Sequence, residues 1–264
     1  MPVLTLLTDF GLTDYYVAAV KGTVLRLAPG TVLVDISHEV PSGDVETAAF
    51  LLAAAFPSFA AGTVHLAVVD PGVGSERRIL AARMESGWLL APDNGLLTPL
   101  LDRVEEILSV ERTDIFLASP GQTFHGRDRF APAAAWLLRG EPFADLGPVV
   151  DAPVRLPIEP PRRERDHLVG RVAHVDRYGN LVTDIPAAWL PAGPCRVEIG
   201  AHTASRRVNC YAEIPLDEAA FLSGSLGTIE LSLNGKSLTQ RWGVTRGTAV
   251  RINWRGHPAG VTVR

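Results

Sequence analysis

Residues 63–78 read TVHLAVVDPGVGSERR. The first eight are apolar almost throughout and show no alternation, which is the pattern of a strand buried on both faces of a parallel sheet. The run ends on Asp70. A Pro-Gly turn and Gly74 follow, and then Arg77 and Arg78, seven and eight residues after the carboxylate. A glycine-rich loop after such a strand suggests phosphate binding, but the spacing argues against it. The dinucleotide fingerprint needs a third glycine where Arg77 stands, and no phosphate-loop lysine follows. Asp70 and Arg77 instead suit a carboxylate–guanidinium pair, since the planar fork of arginine matches a carboxylate. That pair either locks the loop or serves a ligand.

The same pattern extends outward. VLTLLT (3–8) and TVLVDIS (31–37) read as two more buried strands. Between the three strands lie helical spacings at 14–30, which stops at Pro29-Gly30, and at 44–56, with Asp44 as N-cap. ILAARM and WLLAPDNG add shorter strands, and DRFAPAAAWLLRG (128–140) a further helix closed by Gly140. Alternating strands and helices predict an α/β N-terminal domain with a mostly parallel sheet over residues 1–150. Residues 151–166, DAPVRLPIEPPRRERD, hold four prolines and no apolar period, and read as an extended linker. From 167 to 264 the pattern changes to short alternating strands (LVGRVAHVD, NLVTDI, CRVEIG, GTIELSL, TAVRINW, GVTVR). These predict a small all-β, antiparallel, barrel-like C-terminal domain.

Bulk properties narrow the function. The chain has 264 residues, 47% apolar and 20% charged, with net charge −4, so no polyanion-binding surface is implied and no nucleic-acid partner is expected. Two cysteines, Cys195 and Cys210, make neither a disulfide framework nor a zinc site and fit a reducing, cytoplasmic setting. The N-terminus lacks the basic region of a signal peptide. The longest apolar run, 48–56, is far short of the ~20 residues of a membrane span, so no membrane partner is expected.

Ligands of open parallel sheets bind beyond the carboxyl ends of the strands. There the sequence places Asp9, Asp35 with His38, and Asp70. Each is a turn or cap former as readily as a functional group. TFHGRDRFAP (123–132) sets His125 and Asp128 at the start of a helix. Histidine is the one side chain that exchanges protons near neutral pH without special tuning, though a lone histidine such as His125 is commonly structural. VDRYGNLVTDI (175–185) reads as a hairpin whose turn presents Asp176 and Asn180. A metal hydrolase built on Asp9, His38, Asp70 and His125 has no supporting ligand spacing.

Seven stretches together resemble one family: LTDFGLTDYYVAAVKG, VDISHEV, VVDPGVGSERR, APDNGLLTPL, TFHGRDRFAPAAA, VDRYGNLVTDI and GSLGTIELSLNG. They are similar to the S-adenosyl-L-methionine (SAM) hydrolases, also called SAM hydroxide adenosyltransferases, relatives of the fluorinating and chlorinating SAM enzymes. The resemblance implies that water attacks C5′ of the ribose of SAM and releases adenosine and L-methionine, with SAM as substrate and no cofactor or metal. It implies a water-handling set at Asp70, Arg77 and His125. In the halogenating relatives Tyr replaces the Asp, and Tyr-Ser replaces His125-Gly126. By the same resemblance Asp9 holds the ribose diol, Asp14 and Asp176 meet the methionine ammonium, and Asn180 and Tyr211 contact adenine. Ser225, Glu230 and the backbone at Leu233 fall in the segment that closes the site. Tyr16 and Leu226 depart from the halogenases, which have Ser and Arg there. A homotrimer with sites shared between subunits is also implied. The alternatives are a SAM- or adenosine-binding module without turnover, and a SAM-dependent halogenase.

Overall fold

The computed structural model describes residues 1–254, so the strand expected at GVTVR lies outside the described residues. The chain divides into two compact units, Met1–Pro157 and Ile158–Arg264. The boundary falls within the proline-rich stretch 151–166, which is divided between them. The N–H groups of Val154 and Leu156 donate to Asp93 and Thr98 of the first unit at 2.7 and 2.8 Å. Arg162–Arg163 form a short strand of the second unit.

Unit 1 contains β1 (Val3–Thr8), α1 (Tyr16–Leu27), β2 (Val32–Ser37), α2 (Val45–Ala55), β3 (Thr63–Val68), β4 (Ile79–Met84), β5 (Gly87–Pro92), β6 (Val104–Ser109) and α3 (Ala131–Leu138). The sheet order is β2-β1-β3-β5-β4-β6. β2, β1, β3 and β5 run parallel, whereas β4 is antiparallel to both neighbours. The sheet is therefore mixed at one side. The reason is local: only Glu85 and Ser86 join β4 to β5, far too few residues for a parallel crossover. β6 was not expected, because Glu105 and Glu106 interrupt its apolar pattern.

Both faces of this sheet are covered. Val64, Leu66 and Val68 of β3 pack with Val20 and Val24 of α1 and with Trp136 and Leu137 of α3. Ala67 of β3 and Leu7 of β1 face the other way, onto Ala48 and Leu52 of α2. Double burial explains the unbroken apolar runs of β1 and β3. β2, expected as a buried strand, is not one: it lies at the edge of the sheet, paired only with β1 among the described residues, and none of its residues is fully buried. Asp44 caps α2 as expected, accepting from the N–H of Thr47 at 3.1 Å.

Unit 2 contains β7 (Arg162–Arg163), β8 (His167–Val175), β9 (Leu181–Pro186), β10 (Arg196–Ile199), β11 (His202–Ala204), β12 (Arg206–Arg207), β13 (Ala219–Ser223), β14 (Thr228–Leu233), α4 (Leu238–Trp242) and β15 (Ala249–Asn253). They form one sheet in the order β11-β10-β15-β8-β9-β14-β13-β12, with β7 beside β8. β11 also packs against β13, so the ends of the sheet approach each other around Leu168, Leu181, Phe221, Leu231 and Ile252. Two features differ from an all-antiparallel domain. β12 pairs with β13 in parallel, and the short helix α4 follows β14.

Candidate active site

The chain leaves β1 for β2 on one side and then crosses to β3 on the other. A crevice therefore opens beyond the carboxyl ends of β1 and β3, the switch point where open α/β sheets bind ligands. Thr8 and Val68 are in register, so Asp9 leaves β1 where Val69 and then Asp70 leave β3, and both carboxylates line the crevice. A cavity of about 610 Å³ lies here, lined by Asp9, Phe10, Tyr15, Tyr16, Asp70, Phe124, His125 and Arg127 among others.

Arg77 organises one wall. Its Nε donates to both oxygens of Asp70, at 3.0 and 2.9 Å, and its Nη2 pairs closely with Oδ2. Nη2 also reaches Nδ1 of His125 at 2.9 Å. The guanidinium carbon stands 5.5 Å from the ring centre of Phe130, itself fully buried. Arg77 does not line the cavity. It sits behind Asp70 and His125, which do. A guanidinium can only donate, so Nδ1 of His125 accepts and the neutral ring carries its proton on Nε2. That Nε2 and Nη1 of Arg77 are buried donors with no hydrogen-bond partner among the described residues. Burial, with Arg129 and Arg77 nearby, pushes the His125 pKa below its ordinary value.

The backbone around His125 is specialised. Gly126–Phe130 form one π-helical turn leading into α3, a device frequent at functional sites. Gly126 packs under Phe10; a Cβ there would lie 3.2 Å from that ring.

A second set of interactions steadies β1's exit. Oδ2 of Asp9 accepts from the N–H of Gly43 at 2.8 Å, and Gly11 donates to the carbonyl of His38 at 2.8 Å. The buried His38 ring shares a 2.8 Å hydrogen bond between Nδ1 and Thr8. Its Nε2 lies 3.0 Å from Asp35, close but out of line for a hydrogen bond. Asp35 in turn accepts from Lys21 at 2.6 Å. Thr8 and Lys21 were not anticipated as partners, for neither has a spacing that marks it.

Unit 2 carries a pocket of about 580 Å³ lined by Asp176, Tyr178, Asn180, Tyr211, Ser232, Leu233 and Lys236 among others. Oδ1 of Asp176 accepts from the N–H groups of Tyr178 and Asn180 at 2.9 and 2.8 Å, and Oδ2 from the Asn180 amide at 2.8 Å. Ser232 donates to the Asn180 carbonyl oxygen at 2.6 Å. The Asn180 carboxamide is thus fixed in one orientation. Tyr211 donates to Glu230 at 2.6 Å, and that bond pushes the Tyr211 pKa up. Burial, with Asp176 nearby, raises the Glu230 pKa.

The sequence-read residues thus gather in two places. Asp9, Asp70 and His125 line the unit 1 cavity with Arg77 behind them, while Asp176, Asn180, Tyr211 and Leu233 line the unit 2 pocket with Glu230 bonded to Tyr211. Asp14 is exposed in the turn before α1 and lines neither space, although its neighbours Tyr15 and Tyr16 line the first. Ser225 and Leu226 are exposed in the turn between β13 and β14, away from both. Ser232 and Lys236 were missed. Lys236 carried one faint signal, being one of only two lysines in the chain. Among the described residues no group of three or more His, Cys, Asp or Glu is placed to hold a metal ion.

The chain matches two family models in order: the SAM hydroxide adenosyltransferase N-terminal domain over residues 4–147 and the C-terminal domain over residues 170–251. The chain belongs to the SAM hydroxide adenosyltransferase family. Among members of that family, an (R)-S-adenosyl-L-methionine hydrolase of Salinispora tropica is 39% identical over 256 residues, covering 95% of this chain and 97% of the relative. A fluorinase of Nocardia brasiliensis is more distant, at 27% identity over 295 residues, 95% of this chain and 96% of the relative. The crystal structure of an uncharacterized conserved protein from Thermotoga maritima superposes with a TM-score of 0.88 at 32% identity, covering 94% of this chain and 99% of that one.

Proposed function

We propose that this chain hydrolyses S-adenosyl-L-methionine to adenosine and L-methionine. The observation that supports it is the buried Asp70–Arg77–His125 set at the wall of a switch-point cavity, in a chain of this family. The greater identity to a named hydrolase than to a fluorinase favours water over halide as nucleophile.

The chemistry follows from the substrate's sulfonium, a leaving group that needs no metal to activate it. The difficulty is water, whose pKa of about 15.7 makes it a poor nucleophile. In this reading His125 donates its Nε2–H to the attacking oxygen, and Asp70 accepts one of the water's protons. A water lone pair forms the O–C5′ bond. The C5′–S bond pair goes to sulfur and discharges the sulfonium as methionine leaves. The surplus proton passes to Asp70. Arg77 is a positioning residue: it holds the Asp70 carboxylate and keeps the imidazole neutral. Alignment of water with the C5′–S bond supplies much of the acceleration, a class of effect worth about 7–11 kcal/mol.

Asp9 takes the ribose hydroxyls. Asn180 and the ring of Tyr211 take adenine, with Glu230 fixing Tyr211 and the backbone near Leu233 bordering the base. Asp14 and Asp176 are assigned to the methionine ammonium. Asp176 already accepts three hydrogen bonds, which leaves it about one lone-pair direction for that ammonium. Ser225 belongs to the segment that closes the site. Because the ribose and water groups lie in unit 1 and the adenine groups in unit 2, the reading includes a homotrimer that joins unit 1 of one copy to unit 2 of the next. Two free thiols fit a cytoplasmic setting.

The test is incubation of the purified protein with SAM, with and without chelator, followed by chromatography. Equal release of adenosine and methionine in both samples supports the reading. Binding of SAM without release above the spontaneous rate would make the protein a binding module, and release only without chelator would restore a metal hydrolase.

A further inference from the structure

The unit 1 cavity has an aromatic wall that the water chemistry leaves unexplained. Phe10, Tyr15, Tyr16 and Phe124 all line it. Tyr16 stands at the centre, with ring centres 4.7 Å from Tyr15, 5.2 Å from Phe124 and 6.1 Å from Phe10. Two of these large side chains are conspicuously open, Tyr15 at 62% and Tyr16 at 39% exposure. The rings come from two separate segments, and Tyr15 and Tyr16 keep much of their surface open, whereas the Phe124 ring already carries the Arg127 guanidinium.

The charges of the same cavity are unequal. Arg77 is paired with Asp70. Arg127 is paired with Asp128 at 2.6 Å and lies 4.9 Å over Phe124. Asp9 accepts only from the Gly43 N–H and has no cationic partner among the described residues. Arg129 is near His125 but does not line the cavity. The lining therefore combines aromatic rings with a carboxylate, Asp9, that has no ion-pair partner among the described residues, a setting that attracts a compact cation. A sulfonium has three carbon substituents and no N–H, so hydrogen bonds cannot recognise its charge. Ring faces and a nearby carboxylate can.

We propose that Tyr16, flanked by Tyr15, Phe10 and Phe124, forms an aromatic cage that recognises the positive charge of the substrate, making it a specificity-determining element of the site. This rests on the SAM-hydrolase reading. The cage has two consequences. It selects the charged sulfonium over its neutral thioether counterpart, and it loses its hold once hydrolysis turns the sulfonium into neutral methionine, which favours product release. Because the charge disperses as the C5′–S bond breaks, the cage stabilises the bound substrate more than the transition state.

The experiment compares two analogues by calorimetry: one with a trialkylammonium in place of the sulfonium, and the neutral thioether S-adenosyl-L-homocysteine. Neither offers water a good leaving group. The unaltered protein is expected to bind the cation at least about fivefold more tightly. Tyr16→Leu is expected to bring the ratio towards one, and Tyr16→Phe to keep it, because the ring and not the hydroxyl carries the effect. Adenosine affinity, measured on each variant, reports an intact ribose and base site. A ratio near one in the unaltered protein, or an unchanged ratio in Tyr16→Leu with adenosine affinity intact, overturns the cage. SAM turnover is measured alongside. Turnover without charge preference removes the cage alone, whereas failure to bind or turn over SAM removes the hydrolase reading beneath it.

Discussion

Arg77 donates to Nδ1 of His125 at 2.9 Å while the same guanidinium grips both oxygens of Asp70. One side chain therefore orients two others. The carboxylate is held in one orientation, and the imidazole is kept neutral with Nε2–H free to donate. Protonating His125 would place a new N–H against the guanidinium.

The pH dependence of turnover follows from this pair. The His125 pKa is depressed, so the neutral ring is the form present at and above neutral pH. kcat/KM is expected to be flat from about pH 7 upward and to fall only on the acid side, below the ordinary imidazole value of about 6.5. A kcat/KM profile that rises as pH drops below 7 would mean that the imidazolium is the working form.

Arg77→Lys keeps the charge but cannot reproduce the fork or reach Nδ1 at the same time. Turnover is expected to drop by about 10²-fold or more, comparable to the loss of a preorganised donor. Adenosine affinity should stay near its original value, since Arg77 lies behind the cavity wall and not in it. Calorimetry with adenosine and a steady-state assay together check this; a collapse of adenosine binding would show that Arg77 has a different role.

Gly179 sits in the turn that carries Asn180, with φ +83° and with the Ser237 side chain where a Cβ would go. Its carbonyl accepts from the N–H of Thr239 in α4 at 3.0 Å. Gly179→Ala combines backbone strain with that clash and is expected to cost about 2 kcal/mol or more. Denaturant unfolding measures the loss, and adenosine affinity should fall with it because the turn positions Asn180.

His65 of β3 is buried between Phe56 and Phe59 and hydrogen-bonds Thr5 at 2.8 Å through Nδ1. Burial lowers its pKa from 6.5 to about 4. The unfolded chain then binds the extra proton between those two values, so stability is full above pH 6.5 and is lost as pH falls towards 4. The shift corresponds to about 3 kcal/mol. Thermal melts from pH 7 to 4.5 should show this slope, and His65→Gln should flatten it.

The legibility of this fold depended on burial. β1, β3 and the two helices between the first three strands show their apolar periods because both faces of the sheet are covered there, whereas β2, equally apolar in sequence, is an edge strand with no fully buried residue. β6 hid behind Glu105 and Glu106, and β11 and β12 are too short to carry any period. In the site, the Asp70–Arg77 pair could be read because both residues share one loop. His125 joins them from 48 residues away, a closure that rests on the π-turn at Gly126–Phe130 and has no local spacing. The same holds for Ser232 on Asn180 and for the rings of Phe10, Tyr16 and Phe124, which are brought together only by the fold.

The most direct test of the central claim is the fate of solvent oxygen. The protein is incubated with SAM in water enriched in ¹⁸O, and the products are weighed by mass spectrometry. Attack of water at C5′ places one ¹⁸O in the 5′-hydroxyl of adenosine and none in methionine. Unlabelled adenosine, label in methionine, or no adenosine above the spontaneous rate would contradict it.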